Sequence, residues 1–359
     1  MVMRERAEIR PAHVLERGAY DAPGEVVERD TPGFLPPLPA ARPGDAPRSR
    51  LDLATWLAAP EHPLTARVAV NRFWQQLFGV GLVKTSEDFG TQGEWPSHVE
   101  LLDHLAVRFV ESGWDVKALL REIVLSATYQ QSSVATPAAF EADPENRLLA
   151  RGSRFRLDAE RIRDLVLATS GLLNTERYGP SVKPPQPPGL WKAVSLPDSY
   201  PRTFVADEGG AIFRRSLYTF WKRGLPPPQM SVLDAPTRES CSTRRARTNT
   251  PLQALLLLNE QEYLRAARHL AQRTLSAESA ATARLDHAYE TITSRVPSPS
   301  VARTLLDAVA ELEATYSADP ALALELTEGS VPADEAPELA AWTLLVSTIY
   351  NLDVTRNRE

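Results

Sequence analysis

Between Thr65 and Phe78 the apolar residues Val70, Phe73, Trp74, Leu77 and Phe78 recur at the i, i+3, i+4, i+7, i+8 spacing that gathers them on one face of a helix. Arg67, Asn71 and Gln75 form a second, wholly polar stripe, and Gly79 supplies the stop that a left-handed cap favours. A shorter helix precedes it, Arg50 to Ala59, ended by Pro60. Ser97 with Glu100 has the form of a capping box, opening a helix to about Ser112 whose inward face is Leu101, Leu102, Leu105 and Phe109. Gly113 and Trp114 then turn the chain into a helix capped by Asp115, in which Leu119, Leu120, Ile123 and Val124 keep phase. So short a connection predicts an antiparallel helical hairpin.

The same period returns after Asp158, with Ile162, Leu165, Val166 and Thr169 inward and Gly171 near the end. Thr250-Pro251-Leu252-Gln253 combines a capping box with proline at the first helical position, and the helix it predicts carries Leu252, Leu255, Leu256, Tyr263 and Leu270. Three further helices follow, marked by Leu285, Ala288, Tyr289 and Ile292, by Val301, Leu305, Val309, Leu312 and Tyr316, and by Leu339, Trp342, Val346 and Ile349.

Two regions lack this rhythm. Residues 1–49 are rich in Pro, Gly and charge and read as an extended N-terminal arm or linker. Residues 176–250 hold much of the chain's proline, which sustains neither helix nor sheet; they read as an ordered, irregular strap anchored by Tyr178, Leu190 and Trp191. Within it Ser216 to Trp221 has the aromatic and β-branched bias of a short strand, although Phe213, Leu217 and Phe220 also suit a helix. The predicted fold is mainly α: one large helical domain over 50–359, a proline-rich, partly extended central segment, and little β.

The chain has 359 residues, a formal net charge of −6 and a single cysteine. That charge argues against a dedicated nucleic-acid binder, and one cysteine excludes an internal disulfide and a CxxCH haem attachment. No run of about eighteen apolar residues is present to span a membrane, and no cysteine–histidine cluster suggests a metal site. The opening residues lack the apolar core of a signal peptide. GxSxG, P-loop and HExxH patterns are absent, and Gly79-Val80-Gly81 lacks the third glycine and preceding strand of a nucleotide loop.

Charge is concentrated in one place. Arg214, Arg215, Lys222, Arg223, Arg238, Arg244, Arg245 and Arg247 crowd the stretch from Ala211 to Asn259, around Cys241. Forked arginine donors in irregular loops commonly tie backbone to carboxylates; Asp234 and the acidic C-terminal helices are the predicted partners, and a surface for an anionic ligand or partner is the alternative. Arginines near Cys241 would lower its thiol pKa, but a catalytic thiol needs a histidine base and the nearest in sequence, His269, lies well down a helix. Glu100 and His104, one turn apart with His98 at the helix start, supply only part of a metal or acid–base site, and a solvated helix face is the simpler reading.

Three segments carry a resemblance: NRFWQQLFGVGLVKTSEDFGTQGEWPSHVELLDHLAVRFVESGWDVKALLREIVLSATYQQSS, NRLLARGSRFRLDAERIRDLVLATSG and RRSLYTFWKRGLPPPQMSVLDAPTRESCSTRRARTNTPLQALLLLNE. Together they resemble the planctomycete-type domain of unknown function that follows cytochrome c-like modules in large exported proteins, over nearly the whole chain. The opening MRERAEIRPAHVLERGAYDAPGEVV is similar to the point where that domain joins an upstream partner domain, so the resemblance implies that Met1 begins a fragment. It further implies a periplasmic or cell-envelope location, with haem held only in an upstream module and no cofactor in this chain, and it carries no established activity. The expected function is a non-catalytic binding or scaffold module, partnered by the upstream cytochrome c-like and partner domains and by an anionic polysaccharide. The alternative is an oxidoreductase or hydrolase acting on carbohydrate together with the upstream haem domain.

Overall fold

The computed structural model describes residues 8–39, 48–198 and 202–358. Its contacts divide the chain into two compact units, Met1–Gly152 and Ser153–Glu359, where the sequence suggests a division after residue 49 alone. Helices dominate both units, and among the described residues the strands are confined to two-stranded pairs.

The described part of the predicted arm is not simply extended. Strands β1 (Ala12–Leu15) and β2 (Pro23–Val27) form an antiparallel hairpin with an irregular register between His13 and Leu15. Arg17 and Gly18, both at positive φ, make its turn. Five helices follow in this unit: α1 (Arg50–Leu57), α2 (Thr65–Phe78), α3 (Val99–Glu111), α4 (Val116–Val124) and α5 (Pro137–Ala142).

The predicted apolar face of α2 is realised. Val70, Trp74 and Phe78 are buried against Leu102, Leu105 and Phe109 of α3 and Leu119 and Ile123 of α4. Trp74 and Phe78 stack at 4.1 Å. The polar stripe of α2 is not a solvated face beyond Arg67. Asn71 is fully buried; its amide group donates to the Val83 carbonyl (3.0 Å) and accepts from the Val83 amide (2.9 Å), pinning the glycine-rich loop onto the helix. Gly81 lies so close that an added Cβ would meet the Asn71 amide at 2.6 Å, a packing reason for that glycine. At α3 the capping box does not form. His98 is the N-cap without a side-chain bond, and Ser97 instead turns its amide to the Leu82 carbonyl at 2.9 Å. Asp115 caps α4 as predicted, accepting from Lys117 and Ala118 amides.

The second unit contains α6 (Ala159–Ser170), α7 (Leu190–Val194), α8 (Pro228–Val232), α9 (Pro251–Asn259), α10 (Gln261–Ala277), α11 (Ala281–Thr293), α12 (Pro299–Ala318), α13 (Pro320–Leu326), α14 (Ala336–Asn351) and α15 (Asp353–Arg356), with β3 (Phe155–Arg156) paired antiparallel to β4 (Asn357–Arg358). Helix α14 is its centre: Leu339, Trp342, Val346 and Ile349 are buried among Tyr263, Ala267 and Leu270 of α10, Leu305 and Val309 of α12, and Leu285 and Ile292 of α11.

In two places the backbone departs from the sequence-based expectation. The helix predicted to run on from Thr250 breaks at Glu260, whose backbone is extended (ψ 134°) and whose side chain caps the new helix α10. Ser216 to Trp221 is a 3-10 turn over Ser216–Tyr218 followed by a single bridge, Thr219 to Val182, rather than a sheet strand. Phe220 donates its amide to the Val182 carbonyl (2.7 Å) and Val182 donates to the Tyr218 carbonyl (2.8 Å). Pro184 and Pro185, with no amide hydrogen to donate, limit that ladder.

Candidate functional site

The arginine stretch resolves into separate structural roles. Arg214 is buried at 4% exposure, and its guanidinium donates to the carbonyls of Pro180 (2.8 Å), Glu176 (3.2 Å) and Tyr178, while lying 3.8 Å over the Tyr218 ring. It therefore holds the start of the strap by its backbone. Tyr178, expected as an aromatic anchor, has an exposed ring; its backbone is what is held. Arg245 reaches Glu160 at 2.6 Å, Arg247 lies 3.7 Å from Asp158 and 4.4 Å over the Phe155 ring, and Arg215 lies 3.7 Å from Asp164.

Pairing inside the fold is the predicted outcome, but its partners differ from the expected ones. They come from the first turns of α6, not from the acidic C-terminal helices, and Asp234 is taken by Arg156 (2.6 Å) and by the amide and hydroxyl of Thr248. Lys222 donates to Ser195 Oγ at 2.5 Å and sits 4.7 Å over Trp191; Arg238 lies 4.1 Å over Trp221. Arg215, Arg223, Arg238 and Arg244 are exposed, whereas Arg214 is buried and Lys222, Arg245 and Arg247 are half-buried, so the eight cations do not form one patch. Cys241 is exposed. His269 offers its Nδ1 to the Ser170 carbonyl at 2.6 Å. In the first unit His104 lies 3.9 Å from Glu122, and His98 contacts Ser97 Oγ at 3.0 Å.

The residues that do converge lie under the strap. Arg163 of α6 is fully buried, and Glu262 at the start of α10 meets it twice, at 2.8 Å and 2.5 Å. Its remaining hydrogens go to the carbonyls of Arg214 (2.9 Å) and Ile212 (2.8 Å) and to Ser216 Oγ (3.3 Å). Every donor of the guanidinium fork is thereby used. Gln229 of α8 donates its amide nitrogen to Glu262 at 3.1 Å, which ties this ion pair to the region beside it.

That region is a cavity of about 100 Å³. Strap prolines, Trp191, Phe204 and Phe220 form much of its wall, with Gln186, Thr219, Gln229 and Glu260 among the polar residues. Trp191 is the strap's buried anchor at 3% exposure, its ring 5.1 Å from Phe204 and 5.7 Å from Phe220. The far arm of the strap is fixed by Lys183 and Asp207, the Lys183 amide donating to Asp207 Oδ2 at 2.7 Å. Around this one cavity, Gln186 Nε2, Trp191 Nε1, Thr219 Oγ1 and Gln229 Oε1 are buried without a hydrogen-bond partner among the described residues. Native folds pair most such atoms, so their concentration here marks the place.

Glu260 completes the wall. Its carboxylate accepts from the Glu262 amide (2.8 Å) and the Tyr263 amide (3.3 Å). Burial first, and the neighbouring Glu262 second, nonetheless push its pKa up to about 7 against those amides. A carboxyl held there can donate as an acid or accept as a base near neutrality.

A family model described as "PSD1: Protein of unknown function (DUF1553)" matches residues 49–309, most of the chain. The chain belongs to this family. No curated protein and no solved structure matches it. The DUF1553 match includes Arg163, the whole strap and the Glu260 break, whereas helix α14, the centre of the second unit's core, falls beyond it.

Sequence reasoning missed Arg163, Glu262, Gln186, Gln229 and Glu260 as site residues. A usable signal existed for two of them: Arg163 stands among the inward residues of its helix, next to Ile162, and Glu262 adjoins the inward Tyr263, so two opposite charges fall in apolar phase. For the glutamines and Glu260 there was none, because only the path of the strap brings them together.

Proposed function

We propose that this chain is a non-catalytic recognition module of an exported, cytochrome c-linked protein, and that the strap cavity is its recognition site. One observation carries the recognition reading: four residues lining a single cavity each have a buried polar side-chain atom without a partner among the described residues, while the adjoining Arg163 has all its donors satisfied. Leaving such a group unpaired costs about 1–3 kcal/mol, and a ligand that completes all four removes that cost. The cell-envelope setting, with haem in an upstream cytochrome c-like module and an adjoining partner domain as companions, rests on the resemblance of the quoted motifs. An anionic polysaccharide loses support as the ligand, since the arginines meant to hold it are largely engaged by α6 and by backbone.

The enzymatic alternative, hydrolase or oxidoreductase chemistry on a carbohydrate with an upstream haem domain, draws on Glu260 alone. Glycoside hydrolysis by paired carboxyls needs a second one free to act, and Glu262 is committed to Arg163. The discriminating experiment is to incubate the chain with neutral and acidic oligosaccharides, follow tryptophan fluorescence against a Trp191→Phe control, and recover the ligand for mass spectrometry. A saturable signal with the ligand returned intact is expected. A cleaved or oxidised ligand would overturn the recognition reading in favour of catalysis.

A further inference from the structure

We propose that the strap cavity takes one edge of a neutral sugar ring, the end of a saccharide chain, laid against Trp191, Phe204 and Phe220 with its hydroxyls on Gln186, Thr219 and Gln229; this rests on the recognition reading above. Size sets the first limit. About 100 Å³ is several times what one water needs, roughly 10–15 Å³, and well under the roughly 300 Å³ at which sites for drug-sized ligands begin. It is also below the roughly 150 Å³ of a cavity that encloses benzene, so one edge of a ring enters and the rest of the ring and chain lies outside.

The polar atoms set the second limit. Gln186 Nε2 and Trp191 Nε1 can only donate, Gln229 Oε1 can only accept, and Thr219 Oγ1 can do either. A ligand answering all four must itself donate and accept, which is what a hydroxyl does. A carboxylate or inorganic anion would satisfy the two donors and could draw on Lys183 of the wall, but it has no hydrogen to offer the Gln229 oxygen. A quaternary ammonium would satisfy neither donor. Walls of proline and aromatic ring, with Leu225 and Leu256, match the C–H faces of a pyranose or furanose. Glu260, beside Glu262 and the Arg163 that neutralises it, adds a carboxyl that donates to a sugar hydroxyl when protonated and accepts from one when ionised.

The test uses the full chain and a panel of cellobiose, maltose, xylobiose and mannobiose, titrated calorimetrically, with tetramethylammonium, acetate and glucuronate alongside. At least one disaccharide is expected to bind with one-to-one stoichiometry and without dependence on added salt. Gln186→Leu, which keeps bulk and removes a donor, is expected to weaken that binding about tenfold with a melting temperature of the free protein no lower than that of wild type; Thr219→Val serves the same purpose should the first variant fold poorly. If tetramethylammonium or an acid binds and no disaccharide does, the sugar assignment is overturned while the recognition reading stands. If no probe binds, both fall. Equal affinity in wild type and both variants would also overturn the assignment, by placing the sugar elsewhere.

Discussion

The Arg163–Glu262 pair and the strap cavity share the Gln229 side chain and treat buried polarity in opposite ways. On one side of that amide, five guanidinium hydrogens meet a carboxylate, two carbonyls and a hydroxyl, and nothing is left over. On the other, donors and acceptors are buried around open space. A satisfied buried pair fixes geometry, because any displacement strands a charge. An unsatisfied set is tolerable only if it is completed from outside. The first therefore reads as the frame and the second as what the frame presents: Arg163 holds the carbonyls of Ile212 and Arg214, and Arg214 in turn holds those of the strap.

The comparison breaks most visibly at Arg163. Replacing Arg163 with Ala leaves Glu262 buried without its counter-charge and frees two carbonyls, and should cost about 3–5 kcal/mol. Urea unfolding measures it directly. Adding Glu262→Gln to that variant should recover part of the loss, since the orphaned charge is then gone; a double variant no more stable than the single one would show that the ion pair is not what the frame depends on.

Glu260 gives the next effect, and its sign is opposite to that of most carboxylates. Its folded pKa, about 7, lies above the ordinary 4.5. Below the ordinary value both folded and unfolded chains hold the proton, and the stabilisation is complete. As pH rises from about 4.5 to about 7 the unfolded chain ionises first, so stability drains away across that window, by on the order of 3 kcal/mol. Glu160 and Asp234 act the other way. Burial raises both, but Arg245 outweighs it for Glu160, and the Thr248 amide and hydroxyl with Arg156 outweigh it for Asp234. Their contributions are present above the ordinary carboxyl range and lost as pH falls through their depressed values. Melting temperatures across pH for wild type and Glu260→Gln should therefore diverge between about 4.5 and 7, the variant being the flatter; parallel curves would show that Glu260 titrates normally.

Helical periodicity made the frame legible and left the site hidden. Val70, Trp74, Leu105, Ile123, Val166 and Trp342 could be placed inward because burial of a helix face imposes a period on the sequence itself. The hairpin over α3 and α4 followed from one glycine and one cap. The strap has no period, and its contacts are between residues distant in sequence: Arg214 with Tyr178, Phe220 with Val182, Gln229 with Glu262. Composition showed that such a segment exists and that its aromatic residues need cover. It marked Trp191 as an anchor, but it could not show that Tyr178 would be exposed, nor that the helix after Thr250 would break so that Glu260 faces a cavity. The arginine cluster drew attention for its density, yet density says nothing of which carboxylate lies within reach, and here that is α6.

Arg247 is a smaller lever than its position before α9 suggests. Burial weakens its charged form, with Asp158 only partly offsetting that and Arg161, Arg156 and Arg245 opposing it. Asp158 keeps Arg245 within 3.9 Å when Arg247 is removed. Arg247→Ala is therefore expected to cost roughly 1–2 kcal/mol, part of it lost stacking on Phe155, with urea unfolding as the measure. A loss as large as that from Arg163→Ala would mean that the boundary between frame and surface lies further out than Gln229.

The smallest effect is expected from the exposed cations, and it tests whether the surface around the cavity recognises charge at all. Arg215, Arg223, Arg238 and Arg244 are solvent-exposed, Arg215 lying near Asp164 and Arg238 over Trp221, while Arg214, Arg245 and Arg247 are engaged by backbone or by α6 carboxylates. A polyanion binds by displacing counterions from several phosphates or sulfates at once, and its affinity falls with a salt slope that counts those contacts. Four exposed arginines, two of them already beside Asp164 and Trp221, in an acidic chain of net charge −6 give a shallow slope. Retention on heparin should therefore be weak at low salt and vanish with little added sodium chloride, and the double variant Arg223→Ala with Arg244→Ala should change stability by less than about 0.5 kcal/mol. Retention that persists to high salt and disappears in that double variant would instead mean that the surface binds polyanions, and would put charge ahead of the cavity as the basis of recognition.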